Sequence, residues 1–468
     1  MNDLRSKSPR GASRERDVER RFEPYPRYKT SGVKWLGDVP QHWWVQRSDS
    51  VVATSKQQIA PDAFAGREVF HYSIPAVQQL GTGAVENGDD IESAKQVIDE
   101  PVVLVSRLNP RKATICRAES HAHLLTLASS EFVALRAKTG DIRFLEYVVS
   151  SELFRQRLDS LVQSVTRSHQ RARPEEIYRF WGAWPDIHEQ RAIAAFLDRE
   201  TDRIDALVIK KRELVGRLRE KRQALISKTM MRGLPPDAAR AAALNPTPNL
   251  RPTSIEWIGE IPEHWDIWRL RHLSDTITVG VVVNPSSYVS DEGVPFLLGG
   301  DVRELRIDTS DCVRCLPETS DGALRKSRLT SGDIVVVRVG YPGVAAVVPP
   351  ELDGANCASM MIVRKHRRFC SQWLAYAFNS QIGRDQVEIV QYGAAQKQFN
   401  ISHAVDFSFP VPPLTEQQAI AGFLDSEALK IDRAATRVEG AIKRLEEYRG
   451  ALITAAVTGT IDVRDLAA

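Results

Sequence analysis

At 468 residues, with 43% hydrophobic and 26% charged residues, the chain has the composition of an ordinary globular protein, long enough for roughly two to four domains. Its formal net charge of +3 and pI near 8.5 do not by themselves require a nucleic-acid partner, so such a partner must be argued from local basic clusters. Five cysteines without regular spacing fit a reducing cytoplasm, and charged first residues with no long apolar run speak against export or a membrane span, so the expected location is cytoplasmic.

Residues 1–24 carry Arg5, Arg10, Arg14, Arg16, Arg20 and Arg21 with almost no apolar residues. Such a stretch buries too little surface to order itself, and we expect a disordered basic arm, either a solvated tail or a contact to phosphate. Next comes Trp35-Leu-Gly37-Asp-Val-Pro40-Gln-His42-Trp43, which recurs 222 residues later as Trp257-Ile-Gly259-Glu-Ile-Pro262-Glu-His264-Trp265, identical at five of nine positions. Gly and Pro set a turn and the tryptophans supply large packing surfaces, so the motif reads as a structural clamp that marks a repeat.

The first body, residues 25–185, alternates apolar runs with turn signals. Strands are predicted at Val69–Pro75, Pro101–Arg107 and Lys112–Cys116, a turn at Leu80–Gly83, and one helix over Ile142–Leu161. A long helix follows over 186–232, then an Ala-, Pro- and Asn-rich linker at 233–252 opened by Gly233 and Pro235. The second body, 253–412, has its strongest strand and turn at Ile334–Gly343 and a helix predicted over Gln372–Ile382. A second long helix spans 413–459, and 460–468 form a tail.

The two long helices are copies. Glu189-Gln190-Arg-Ala-Ile193-Ala-Ala-Phe196-Leu197-Asp198 returns, 227 residues on, as Glu416-Gln417-Gln-Ala-Ile420-Ala-Gly-Phe423-Leu424-Asp425. In the first, apolar residues recur every seventh position at Leu197, Ile204, Leu218 and Leu225, with one break at Lys211; in the second the beat is unbroken at Leu424, Ile431, Val438, Leu445 and Leu452. A sustained seven-residue spacing makes a narrow seam suited to another helix, and each copy is the obvious partner of the other. The fold class is therefore α+β: two mixed α/β bodies, internal tandem repeats, separated by two long antiparallel coiled-coil helices.

The sequence carries little recognisable catalytic machinery. There is no Gly-Lys dipeptide and so no phosphate-cradling loop of the G-x-x-x-x-G-K-[ST] type. Asn109-Pro110, Asn245-Pro246 and Asn284-Pro285 lack the rest of an amino-methyltransferase motif, Cys312-Val-Arg-Cys315 has no second pair at zinc spacing, and no metal site is expected. What remains are basic and polar clusters. Arg107, Arg111, Lys112 and Arg117 follow the first strong strand, and Arg167, His169, Arg171 and Arg173 precede the first long helix. In the second body Arg338 and Tyr341 flank a glycine turn, Gln396, Lys397 and Gln398 form a polar run, and Arg364, Lys365, Arg367 and Arg368 form a charge run. These residue types reach phosphates and base edges, and the clusters fall at matching places in both copies.

In combination, the paired Trp-x-Gly-x-x-Pro-x-His-Trp motifs, Trp184-Pro185-Asp186-Ile-His-Glu189-Gln190 and Pro412-Pro413-Leu414-Thr415-Glu416-Gln417 opening the helices, Phe-Leu-Asp in each, and Leu452-Ile-Thr-Ala-Ala-Val-Thr-Gly459 near the end resemble the DNA-specificity subunits of type I restriction-modification systems. The resemblance covers nearly the whole chain after residue 24 and implies a non-catalytic protein with two target-recognition domains, each reading half of a bipartite, asymmetric double-stranded DNA site. It further implies docking of two modification (methyltransferase) subunits, leaves open whether restriction or translocase subunits join, and places S-adenosylmethionine, ATP and Mg²⁺ on the partners rather than on this chain. Of the cluster residues above, the DNA-contacting candidates chosen by residue type are Arg107, Arg111, Lys112, Arg167, His169, Arg171, Arg173, Arg338, Tyr341, Gln396, Lys397 and Gln398. The rival reading is a coiled-coil interaction scaffold that does not bind DNA.

Overall fold

The computed structural model describes residues 21–54, 57–109, 112, 114–161, 171–282, 285–322, 324–391 and 398–466. The chain divides into two units, residues 1–212 with 439–468, and residues 213–438. Each unit therefore holds one body, part of one long helix and part of the other. The helices themselves run from Ile187–Arg232 and Leu414–Val457, within two residues of the expected bounds.

In the first unit the opening motif turns at Gly37 (φ 70°), where only glycine is unstrained, and strand Tyr28–Thr30 pairs antiparallel with Asp38–Pro40. Trp44–Arg47 then pairs with Trp181–Trp184, joining the start of the body to its end. Between them lie a four-stranded antiparallel sheet, in the order Ile115–Ala118, Val102–Ser106, Phe132–Ala137, Val52–Thr54, and a five-stranded mixed sheet in which Leu125–Ser129 runs parallel to Glu68–Tyr72. Val102–Ser106 is buried at every position, as a continuous apolar run in a central strand should be.

Three local expectations change. The strand at Val69 stops at Tyr72, because Ser73 accepts a hydrogen bond from the Ala76 amide and caps a helix over Ile74–Leu80 with Pro75 in its first turn. The third strand begins at Ile115 rather than Lys112, since Lys112 N donates to Asn109 O in the turn of the hairpin. The helix predicted over Ile142–Leu161 is two, Ile142–Ser150 and Glu152–Leu161; Ser151 is extended (ψ 148°) and its hydroxyl accepts from the Phe154 amide, capping the second piece.

The second unit repeats this plan. Gly259 (φ 68°) makes the opening turn, and Asp266–Arg269 pairs with Ser408–Val411. Its four-stranded sheet runs Ile277–Val279, Met360–Val363, Ile334–Val337, Ala345–Val347, with Ile334–Val337 wholly buried. A smaller sheet sets Val294–Leu297 parallel to Asn356–Cys357. Its predicted helix is again broken at a serine, Ser380, between Ser371–Asn379 and Gln381–Gln391. The linker is not structureless, for Pro236–Ala241 is helical and Ala239 joins this unit's core.

The repeated Glu-Gln and Phe-Leu-Asp motifs bolt each body to its helix. Glu189 receives hydrogen bonds from Tyr25 Oη (2.7 Å) and Trp43 Nε1 (3.1 Å) and pairs with His42 Nε2 (2.8 Å); Glu416 pairs with His264 Nε2 at the same 2.8 Å. Gln190 accepts from the Asp141 amide and Gln417 from the Cys370 amide, each at the start of the body's last helices. Asp198 accepts from Tyr147 Oη and Asp425 from Tyr376 Oη, at 2.8 and 2.7 Å. Burial, reinforced by the adjacent carboxylate, pushes both phenols well above their ordinary pKa, so they remain donors. The clamp tryptophans Trp43 and Trp265 are wholly buried, a transfer that contributes roughly 2–3 kcal/mol each.

Within the first unit, Leu197, Ile204, Leu445 and Leu452 share one core, joined by Val208 and Ile442; within the second, Leu225 and Leu424 share another with Ile226 and Ile420. Leu218, Ile431 and Val438 are only half-buried. The seam also has a second row. It runs through Thr201, Val208, Val215, Arg222 and Thr229 on the first helix and through Ala428, Ala435, Ile442, Arg449 and Ala456 on the second, and of these the arginines, Ala435 and Ile442 are half-buried while the others are buried. The tail is also part of a core: Ile461 and Val463 are buried, and Asp462 N donates to Glu23 O at 2.7 Å. Of the expected arm, residues 1–20 lie outside the described residues, whereas Phe22 packs edge-on against Phe196 with centroids 5.4 Å apart.

Candidate nucleic-acid interface

In the first body the central strand Val102–Ser106 delivers Arg107 and Leu108 to its exit. There the chain meets the segment that leads into the short helix Pro174–Tyr178: Leu108 forms a β-bridge with Arg171, and Ala172 N donates to Arg107 O at 2.9 Å. Two clusters more than sixty residues apart in sequence are thus placed side by side. The turn is made at Asn109, whose φ of 50° suits a residue that tolerates the left-handed region. Arg171 Nη2 is held by Glu131 Oε1 at 2.9 Å, while the Arg173 and Lys112 side chains are exposed. Arg107 is half-buried, and its Nε has no hydrogen-bond partner among the described residues. It borders a recess of about 420 Å³ lined also by Thr54, Gln58, Gln96, Glu175 and Tyr178. Arg111, Arg167 and His169 lie outside the described residues.

The second body repeats the arrangement with different chemistry. Ile334–Val337 delivers Arg338, and Val339 bridges to Gln398. Arg338 Nε donates to Phe399 O at 3.0 Å and Nη2 to Asn400 Oδ1 at 3.2 Å, and burial holds its pKa below the ordinary arginine value. The turn beyond uses Gly340 (φ 86°) and Gly343 (φ 91°), and it leaves Tyr341 74% exposed. Gln396 and Lys397 lie outside the described residues.

Not every cluster residue joins these loops. Arg117 turns to Glu146 (3.5 Å) and Glu119 (3.7 Å), and the run from Arg364 to Arg368 lies at the other end of the second sheet. Residue reasoning missed Glu131 and Asn400, which orient the arginines, and the amides of Gln58 and Gln96. The 227-residue shift that aligns the helices was the available signal, since it carries Arg171 onto Gln398 and Arg173 onto Asn400. Among the described residues no group of three or more His, Cys, Asp or Glu is placed to hold a metal ion, and no helix is long and apolar enough to cross a membrane.

Two α/β bodies, each bolted to a long helix and each presenting a paired strand-exit loop, define a tandem-repeat protein of the type I specificity-subunit fold. A solved chain from a study of complex assembly and conformational transition of the type I R-M system matches with a TM-score of 0.63 over 90% of this chain and 98% of that chain, at 18% identity. In sequence the chain is similar to the type I restriction enzyme EcoKI specificity subunit of Escherichia coli (strain K12) and to the StySPI specificity subunit of Salmonella potsdam, 25% identical to each over 219 residues. Those matches span 43% of this chain and 44% of either relative, less than half the length of the curated relatives. No family model matches the chain.

Proposed function

We propose that the chain is the DNA-specificity subunit of a type I restriction-modification complex in the cytoplasm, non-catalytic in itself. Each body reads one half of a bipartite, asymmetric duplex site, and the helix pair docks two modification subunits, on which S-adenosylmethionine, ATP and Mg²⁺ act. The observation that carries this reading is the repeated juxtaposition of strand-exit loop and closing segment, Arg107–Leu108 with Arg171–Arg173 and Arg338–Tyr341 with Gln398–Asn400. Lysine and arginine on such loops supply affinity through phosphate contacts, and arginine, glutamine and asparagine discriminate base edges.

The recess beside Arg107 and the exposed ring of Tyr341 differ in shape and hydrogen-bonding capacity, which favours unlike half-sites. Docking is supported by apolar side chains turned outward on the long helices, Leu207, Ile209 and Leu214 on the first and Leu429 on the second. The test is genome-wide mapping of methylated bases with and without the gene. A two-part motif that vanishes with the gene is expected; an unchanged methylation pattern, together with no salt-dependent binding of the purified chain to duplex DNA, would leave the scaffold reading in its place.

A further inference from the structure

The basic run that begins at Arg364 has no part in the strand-exit loops. It sits at the opposite end of Ile334–Val337 from Arg338, where it meets a second basic segment, Arg325 to Arg328. Arg364 Nη1 donates to Asp333 Oδ2 at 2.6 Å and to Arg328 O at 2.7 Å, and Nη2 donates to Lys326 O at 3.1 Å. Asp333 is buried behind it, so this guanidinium is fixed in direction. A recess of about 570 Å³ opens here, lined by Asp321, Arg325, Arg328, Thr330 and Arg364.

Two glycines seat the neighbouring basic side chains. At Gly354 (φ 85°) a Cβ would come to 3.3 Å from the Arg328 guanidinium, and at Gly332 (φ 90°) one would come to 2.7 Å from Lys365 Cδ. Asp321 orients Arg328 through its Nη1, whereas Arg325 has no acidic partner among the described residues. Three guanidiniums therefore line the recess against two carboxylates, Asp321 beside Arg328 and Asp333 buried behind Arg364, which leaves Arg325 as the unbalanced charge. At the corresponding strand end of the first body one cation is paired with a carboxylate and another with a backbone carbonyl. Arg136 pairs with Glu100 at 3.2 Å, and Lys138 Nζ donates to Asp49 O at 2.7 Å.

We propose that this recess is a phosphate-binding site. Guanidinium forks match phosphate oxygens in geometry and charge, a hydroxyl is available from Thr330, and the concave shape suits a small anionic group better than a flat protein face. The phosphate is either a backbone phosphodiester of DNA flanking the bound site or that of a free nucleotide, and the inference stands whether or not the strand-exit loops read DNA.

The test uses the full chain and the double variant Arg325→Ala/Arg328→Ala, with Arg364 untouched because it holds Asp333. Inorganic phosphate and metal-free ATP are titrated calorimetrically, and a non-cognate duplex is titrated by fluorescence anisotropy over a range of salt. A free-phosphate source predicts that phosphate or ATP binds the wild type and that the variant weakens this at least about tenfold. A backbone source predicts that only the duplex is affected, with the slope of log affinity against log salt reduced by about 2. If the wild type binds none of the probes, or a folded variant binds all of them as the wild type does, the recess is not a phosphate site. Should the double variant fail to fold, Arg325→Gln alone decides, because that side chain makes no hydrogen bond or ion pair among the described residues.

Discussion

Arg449 of the second long helix lies 3.1 Å from Asp205 of the first, and the same pair recurs as Arg222 with Asp432, also at 3.1 Å, each member displaced by 227 residues. Both arginines occupy the second row of the seam, where a buried or half-buried charge fixes the register of paired helices more than it stabilises them. The two sites are not equally committed. The Arg222 side chain is 14% exposed and also meets Glu304 at 3.0 Å, whereas that of Arg449 is 37% exposed. We expect Arg222→Ala to cost about 2 kcal/mol of stability, because Asp432 loses its counter-charge and Glu304 is left with Arg384 alone in a partly desolvated site. Arg449→Ala should cost less than about 1 kcal/mol, as an exposed pair does. Chemical denaturation of each variant checks this, and equal losses would mean that the Glu304 contact is without effect.

The clamp tryptophans separate packing from hydrogen bonding. Trp43 Nε1 donates to Glu189, but the equivalent Trp265 Nε1 is buried without a hydrogen-bond partner among the described residues. Both rings are wholly buried, so Trp→Phe removes similar volume at each position. Trp43→Phe should therefore be the more destabilising by about 1.5–3 kcal/mol, the worth of a hydrogen bond to a charged acceptor. Equal melting-temperature shifts for the two variants would contradict this assignment.

Much of this architecture was readable beforehand, because the chain states it twice. Glu189 and Glu416, Gln190 and Gln417, and Asp198 and Asp425 stand out as repeats, and the structure gives each pair the same partner type. The second seam row was hidden, since threonine, alanine and arginine interrupt the apolar beat of Val208, Val215 and Ile442, although Thr201, Ala428 and Ala456 are buried. The helix breaks at Ser151 and Ser380 were hidden too, because the apolar spacing continues across them while the serine hydroxyls redirect the backbone. Which clusters meet is a non-local fact. Arg107 was identified as a candidate by residue type, but its contact with Ala172 depends on the sheet being assembled.

His71 makes the first unit acid-sensitive. Its Nδ1 lies 2.7 Å from Glu86, yet burial dominates and lowers its pKa below the free value of 6.5. The unfolded chain then binds a proton more readily than the folded one. The penalty is absent above about pH 6.5, grows as pH falls through that value towards the lower folded pKa, and is complete below it. Stability measured by denaturant should decline over this window in the wild type and decline less in His71→Asn. A variant that retains the full decline would place the titrating group elsewhere.

If each strand-exit loop reads its own half-site, Arg107→Ala and Arg338→Ala should act independently. Each is expected to relax discrimination in one half-site only, by about 1–3 kcal/mol for the base pair read. Competition binding against single-base variants of the methylated motif measures this. Loss in both half-sites from either substitution would contradict independent readers, and uniform weakening with a flattened salt dependence would make that arginine a phosphate contact instead.

The helix pair should also act as a ruler. Because Arg222–Asp432 and Arg449–Asp205 fix which residues face each other, an insertion in one helix must be matched in the other, and Glu213 and Gly440 are equivalent positions for it. Seven residues inserted after each keep the seam in phase, since two turns of a seven-residue beat return to the same face, and lengthen each helix by about 10 Å. On the proposed function this should preserve both half-sites and widen the gap between them by about three base pairs, at 3.4 Å per pair. Four residues inserted at the same places add about 6 Å but turn the seam about 40° off its face, and assembly with the modification subunits should be lost. Mapping methylated sites in cells carrying each variant gives the answer. A stably assembled seven-residue variant with an unaltered gap would show that the helices dock partners without setting the spacing.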